Sequence, residues 1–249
     1  MSHIKITLSA PGTPTLDRTV GEMVAESPSR SRIFQAHQID FCCQGNRTVR
    51  EACQKRGLDP ALVAGQLESM DAGPGEPEEN PAELPPAELA RYIVRTFHDP
   101  LRLELPRLRA MAQRVAHVHG GHTPSLRELL EVFLGLEAEL TSHLSKEEMV
   151  LFPAVEAAAE SGRCPIPLEG PIACMLDEHE DAGEALARLR ELTHGFTPPV
   201  EACNTYRALF AGLAELEESL HRHIHLENSV LFPAVRHMQS ASTAPLAGR

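Results

Sequence analysis

Apolar residues recur at helical spacing along most of this 249-residue chain, and Leu, Ala, Glu and Arg dominate these segments. Runs that alternate apolar and polar residues are almost absent, apart from residues 4–8. The pattern therefore predicts an all-α protein. In the N-terminal part it predicts short helices near residues 18–37, 48–56 and 60–70, with a break at Pro28 in the first of them.

Residues 71–87 interrupt the helical pattern. This acidic stretch holds five Pro and two Gly, and its only large apolar residue is Leu84. Such composition is typical of an extended linker. We therefore expect three parts: a small helical domain at 1–70, a linker at 71–87, and a larger domain at 88–240.

The larger domain shows four long helical patterns, near residues 86–117, 125–161, 170–194 and 199–239. Short connections make neighbouring helices antiparallel, so the pattern predicts an up-down-up-down four-helix bundle. Pro106, Pro153 and Pro233 lie inside these patterns, and we expect each to kink or interrupt its helix.

Composition narrows the class of protein further. The formal net charge of −12 argues against nucleic acid or an anionic membrane surface as the main partner. No apolar run is long enough for a transmembrane helix, and the first residues lack a secretory pattern, so a cytoplasmic location is expected. Six cysteines are too few for a disulfide scaffold, and we expect them to be reduced.

An internal repeat is the sharpest feature of the sequence. Residues 143–155 read HLSKEEMVLFPAV and residues 223–235 read HIHLENSVLFPAV, at an offset of 80. His98 and His179 each precede one copy, 81 residues apart. A lone His followed by His-x-x-x-Glu on a second helix therefore occurs twice.

The repeat predicts a metal site inside the bundle. Residues i and i+4 share one helix face, and apolar Val150, Leu151 and Ala154 continue that face in the first copy, which indicates that it points inward. We therefore expect four imidazoles and two carboxylates to converge; they belong to His98, His143, Glu147, His179, His223 and Glu227.

Imidazole and carboxylate together suit iron, zinc, manganese or copper, and six ligands with two carboxylates suit two ions with bridging Glu side chains. The alternative is a duplicated bundle without metal. Two copies in register, together with the cost of burying these groups unpaired, favour the metal site.

At these residues the sequence resembles the hemerythrin-like proteins. Residues 39–46, IDFCCQGN, and the following TVREAC at 48–53 resemble the small N-terminal domain of the iron–sulfur cluster repair family. The resemblance extends over about residues 18–237. It implies a non-haem centre of two oxo- or hydroxo-bridged iron ions, with Glu147 and Glu227 bridging. It further implies one iron on His98 and His143, and the other on His179 and His223.

The family resemblance also implies a function. We expect repair of iron–sulfur clusters damaged by nitrosative or oxidative stress, by donation of iron, with damaged iron–sulfur proteins and NO or O₂ as partners. Two alternatives stay open, namely a binding module that senses O₂, NO or iron, and reduction of nitric oxide at the two irons. The client, the electron donor and the oligomeric state, a homodimer included, are not decided by the sequence.

Cys42 and Cys43 form the second candidate site, which we assign a catalytic role. Adjacent thiols in a turn could hold a transferred iron, reduce the metal centre or form a labile disulfide. The alternative is two small buried thiols with a packing role.

Among the acids beside the ligands, including Glu148 and Glu178, we expect one to orient a ligand imidazole. His221 and His225 flank His223 and should point elsewhere.

Overall fold

The computed structural model describes residues 13–71 and 80–243. Within these ranges the protein is helical, and the one β-type pairing is an isolated bridge between Thr19 and Thr48. The all-α prediction is confirmed. The chain divides into two compact units. The first comprises the described parts of Met1–Tyr92, Val155–Leu168 and His221–Arg249, and the second comprises Ile93–Ala154 and Glu169–Leu220.

Between residues 13 and 71 the first unit contains four α-helices: α1 (Val20–Glu26), α2 (Ser31–Ala36), α3 (Val49–Arg56) and α4 (Pro60–Asp71). The Thr48 hydroxyl accepts from the Glu51 amide, and the Glu51 carboxylate accepts from the Thr48 amide, which closes a capping box at the start of α3. Gly57 ends α3 in the left-handed region, at φ 66°. The predicted break at Pro28 is confirmed, because a 3₁₀ turn there separates α1 from α2.

The predicted linker lies partly outside the described residues, at 72–79. Beyond it, Pro81–Glu83 forms a 3₁₀ turn and α5 (Pro86–Ile93) begins. The Asn80 side chain donates to the Ala25 carbonyl at 2.9 Å, which attaches this segment to the end of α1. The boundaries of the predicted domains stay a prediction.

The second unit contains the bundle. Its long helices are α6 (Asp99–His119), α7 (Ser125–Lys146), α9 (Glu169–Leu192) and the part of α10 (Asn204–Leu226) up to Leu220. Their inward faces form one apolar core, in which α7 packs against α6 and α9. Fully buried members of this core include Leu108, Phe133, Leu136 and Leu209. The core is built chiefly from Leu.

Three of the four predicted long helices contain a π-helical turn, at Val94–His98, Glu147–Leu151 and Glu227–Leu231. After each turn the helix resumes, as α6, α8 (Phe152–Ser161) and α11 (Phe232–Thr243). In the second turn the Phe152 amide donates to the Glu147 carbonyl, five residues back, and the Phe232 amide does the same toward Glu227.

Proline explains where the π turns lie. A proline in a helix lacks an amide hydrogen and its ring clashes with the carbonyl four residues earlier, which a wider turn relieves. Pro100, Pro153 and Pro233 each follow the end of a π turn by two residues. The predicted interruption at Pro153 and Pro233 is confirmed. The prediction for Pro106 is wrong in that α6 continues through it without ending.

The wider turn also changes which residues face inward. Leu151 and Ala154 are buried as expected, whereas Val150 is 46% exposed. The expectation for Val150 assumed a regular α-helix, and the extra residue of the π turn rotates it outward.

Among the described helices, none has both the length and the apolar character that a membrane crossing requires.

Candidate metal centre

Four predicted ligands converge in the second unit. His98 ends the first π turn, His143 lies on α7, Glu147 begins the second π turn, and His179 lies on α9. The Nε2 atoms of His98 and His143 each lie 3.4 Å from the same oxygen, Glu147 Oε2. The Nε2 atoms of His143 and His179 are 3.1 Å apart. All four side chains are buried, and Glu147 is 0% exposed.

Two further carboxylates hold the outer nitrogens of these rings. Glu148 Oε1 lies 2.7 Å from Nδ1 of His98, and Glu178 Oε2 lies 2.9 Å from Nδ1 of His143. Arg102 also donates to Glu148, at 2.7 Å, and Lys146 donates to Glu178. We expected one neighbouring acid to orient a ligand imidazole, and the structure shows two, Glu148 and Glu178.

The charge of both carboxylates is preserved despite partial burial. Burial alone raises the pKa of Glu148, but the hydrogen bonds from His98 and Arg102 outweigh it and keep the pKa below its ordinary value. The pKa of Glu178 is lowered in the same way: burial raises it, and hydrogen bonds led by the one from Lys146 overcome that effect. Both groups are thus ionised at neutral pH.

Ionised acceptors decide the tautomer of the two rings. A carboxylate without a proton can only accept, so Nδ1 of His98 and of His143 must carry the hydrogen. In a neutral imidazole the other nitrogen then has a lone pair. The Nε2 lone pairs of both rings therefore face Glu147, which is the arrangement in which histidine binds a metal ion.

The remaining two predicted ligands lie in the first unit. His223 Nε2 is 3.0 Å from Glu227 Oε1, and both side chains are buried. Glu227 begins the third π turn, as Glu147 begins the second. The two halves of the repeat thus share both their spacing and their local backbone.

His221 and His225 point away from this pair, as predicted. Both rings meet the Phe41 ring edge-on, with ring centroids 6.0 and 5.6 Å apart. Burial lowers the pKa of His225 to about 4, only partly opposed by its bond to the Phe41 carbonyl. His225 is therefore neutral at physiological pH and acts in packing.

The pairing of histidines implied by the family resemblance needs correction. That pairing placed His143 with His98 on one iron. In the structure the close partner of His143 is His179, and these two together with Glu147 offer ligand atoms within 4.8 Å of one another. His143 and His179 lie on α7 and α9, two helices that pack against each other.

The chemistry of the buried set fits a first-row transition metal. Imidazole nitrogens and carboxylate oxygens suit iron, manganese, zinc or copper, whereas calcium and magnesium prefer oxygen alone. A carboxylate with no exposure costs free energy unless a cation or strong hydrogen bonds compensate. Glu147 lies among three buried imidazoles, and a cation bound between them would compensate the burial of this carboxylate.

The vicinal cysteines form a separate cluster in the first unit. The Sγ atoms of Cys42 and Cys43 are 3.6 Å apart, and Asp40 Oδ1 lies 3.3 Å from Cys42 Sγ. The hydrogen bond with Cys43, burial, and the charge of Asp40 all raise the pKa of Cys42 well above its ordinary value. All six cysteines lie within the described residues, and none forms a disulfide.

The cysteine loop rests on the helix that carries Glu227, within the same unit. Asn228 Nδ2 donates to the Cys42 carbonyl at 3.1 Å. A Cβ added to Gly45 would lie 2.7 Å from the Phe41 carbonyl oxygen and 3.4 Å from Ser229 Oγ. Only glycine allows so close an approach at this point.

Sequence reasoning missed three contributors: Arg102, Asp40 and Asn228. Arg102 and Asn228 carry no local signal, because each acts on a residue far away in the chain. The role of Asp40 could have been predicted from the sequence, because an Asp side chain often accepts hydrogen bonds from the backbone amides that follow it in a turn.

Comparisons with known proteins agree with this geometry. Residues 89–235 match the hemerythrin HHE cation-binding domain, and residues 16–71 match a domain of unknown function, DUF542. The iron-sulfur cluster repair protein YtfE of Edwardsiella ictaluri is 42% identical over 217 residues, which cover 87% of this chain and 96% of that protein. The YtfE proteins of Musicola paradisiaca and Yersinia pseudotuberculosis are 39% and 36% identical, over 87% of this chain and 95% and 96% of their own lengths. The chain thus belongs to the hemerythrin-like iron–sulfur cluster repair family.

Proposed function

We propose that this protein binds two iron ions in its bundle and repairs damaged iron–sulfur clusters by donating iron. The observation that carries the proposal is the convergence of three buried imidazoles around Glu147: the Nε2 atoms of two of them lie 3.4 Å from one Glu147 oxygen, and the third ring lies beside His143. The function in the names of the YtfE relatives, iron–sulfur cluster repair, supports the same conclusion.

We assign the ligands to six residues. Four converge in the second unit, and the His223–Glu227 pair repeats the spacing, the burial and the π turn of His143–Glu147. The assignment of the last two to the same centre rests on this repeat and on family membership. The residues that would hold the two ions are His98, His143, Glu147, His179, His223 and Glu227.

This chain's own groups suit reversible metal binding. Glu148 and Glu178 keep two imidazoles in the binding tautomer, so a departing ion leaves the ligands ready for the next. The π turns place Glu147 and Glu227 on helix segments bounded by proline rather than on regular helix. Bound iron would supply affinity for NO or O₂ and the capacity for one-electron transfer.

Cys42 and Cys43 are the second functional group in this proposal. The Cys42 thiol is protonated at neutral pH, because the hydrogen bond with Cys43 and burial raise its pKa, so it does not act as a standing nucleophile. The place of the two cysteines in the proposal is to accept iron on its way out of the protein. We place this activity in the cytoplasm, where thiols stay reduced.

Reactivation of a damaged cluster enzyme tests the function. A [4Fe–4S] hydro-lyase is inactivated with nitric oxide and then incubated without oxygen. One sample receives the iron-loaded protein, and the other receives the same amount of iron as ferrous salt. Both samples contain a chelator that removes free iron. We expect faster recovery with the protein. His143→Ala and Glu227→Ala should lose that advantage, because both lower the iron content.

Recovery no faster than with the ferrous salt would contradict iron donation. Full activity of both variants would contradict the ligand assignment.

A further inference from the structure

We propose that Asp40, Cys42 and Cys43 form a second metal site, which takes one divalent first-row ion through two thiolates and a carboxylate. Nothing in the family match assigns a ligand to this loop, since residues 16–71 match a domain of unknown function. The site is separate from the histidine centre and uses no residue of it.

The distances between the donor atoms match those of a chelated ion. A tetrahedral ion bound by two thiolates at about 2.3 Å holds the sulfurs roughly 3.8 Å apart, and a carboxylate oxygen at about 2.1 Å stands roughly 3.6 Å from each sulfur. The observed separations are 3.6 Å between the two Sγ atoms and 3.3 Å between Cys42 Sγ and Asp40 Oδ1. All three ligand atoms lie within 4.8 Å of one another.

The loop is already shaped for this purpose. Asp40 Oδ1 accepts the backbone amides of Cys42, Cys43 and Gln44 at 3.0, 2.9 and 3.3 Å, which curls the chain around the carboxylate. The loop carbonyl of Cys42 is held by Asn228 from the helix behind it. The ligands therefore lose little freedom when an ion binds.

Burial gives the site a protected side and an open side. Cys42 is 3% exposed and Cys43 is 9% exposed, whereas Asp40 is exposed to solvent. An ion can enter along Asp40 and reach sulfurs that are shielded from bulk solvent. The pKa of Cys42 is raised, so its thiol holds its proton until an ion displaces that proton to solvent.

Two thiolates and one carboxylate select borderline ions such as Fe²⁺, Zn²⁺ and Co²⁺ over Mg²⁺ or Ca²⁺. That the natural ion is ferrous iron in transit rests on the proposed function. The existence of the site does not, because it depends on the three side chains alone.

Cobalt titration of the iron-loaded full chain, without oxygen, tests the site. Thiolate-to-cobalt charge transfer gives a near-ultraviolet band that imidazole and carboxylate ligands do not produce. We expect about one equivalent of Co²⁺ to generate the band, with release of up to about two protons per ion into a weakly buffered solution.

Three variants locate the band. Cys42→Ser combined with Cys43→Ser should abolish it. Asp40→Asn should weaken cobalt binding at least about tenfold, while the amide oxygen still accepts the three backbone amides and keeps the loop folded. The exposed Cys203→Ser is the matched control and should leave the titration unchanged.

Absence of the band in the wild-type protein would overturn the proposal, and so would its survival in the double serine variant. Unchanged affinity in Asp40→Asn would overturn the three-ligand site. If the histidine residues do not bind iron, the protein will have a low iron content before cobalt is added, so this result is distinguished from the cobalt titration.

Discussion

Replacing Glu178 by Gln tests whether the outer carboxylates tune the metal centre. Glu178 Oε2 lies 2.9 Å from His143 Nδ1, and its side chain is 26% exposed. The amide oxygen of Gln can still accept from the ring, so the geometry is retained and only the charge is removed. The substitution isolates the electrostatic part of the contact between the carboxylate and the imidazole.

The expected loss follows from hydrogen-bond energies. A bond to a charged group contributes about 1.5–3 kcal/mol and a neutral one about 0.5–1.5 kcal/mol. Their difference is about 1–1.5 kcal/mol, and sharing of the carboxylate with Lys146 and solvent places Glu178 toward the lower end. We therefore expect iron affinity to fall roughly five- to tenfold.

Competition with a ferrous chelator of known affinity, without oxygen, measures the loss. Glu180→Gln is the matched control, because it removes the same charge from an exposed side chain next to His179. We expect the control to change affinity less than about twofold. Wild-type affinity in Glu178→Gln, or an equal loss in Glu180→Gln, would refute the argument that Glu178 acts through the His143 ring.

Three further predictions concern the cysteine loop. Gly45→Ala should lower the free energy of unfolding by about 1–3 kcal/mol, because the added Cβ clashes with the Phe41 carbonyl oxygen. Gly65 has open space around it, so Gly65→Ala should raise the free energy of unfolding by about 0.5–1 kcal/mol. Denaturant titration compares the two variants, and equal effects would contradict the close approach at the loop. Asn228→Ala removes the donor to the Cys42 carbonyl and should cost about 1 kcal/mol, seen as a lower midpoint of thermal unfolding; an unchanged midpoint would count against that bond. Mass spectrometry should show that iodoacetamide alkylates Cys42 more slowly than exposed Cys203 at pH 8. The rate at Cys42 should keep rising above pH 9, because the Cys43 contact and burial raise the Cys42 pKa. A rate that reaches a plateau below pH 9 would contradict this.

The candidate ligands could be identified from the sequence because their spacing is local. His143 and Glu147 share a helix face through the i, i+4 relation, and the second copy of the motif carries the same relation. The convergence of His98, His143, Glu147 and His179 in one unit required only that the helices be antiparallel. The short connections between the helical patterns supplied that information.

The π turns and the partners of the imidazoles could not be predicted in the same way. The exposure of Val150 depends on one extra residue in a turn, and helical periodicity assumes that no such residue exists. Which imidazole lies next to His143 depends on how α7 packs on α9, and the sequence contains no rule for that choice.

Metal analysis of the protein purified without oxygen shows whether the bundle holds iron. We expect two iron ions per chain, and exposure to air should produce the near-ultraviolet absorption of an oxo-bridged pair of ferric ions. Both signals should fall in His143→Ala. A chain that holds no metal, or a single zinc ion, would overturn the proposed di-iron site.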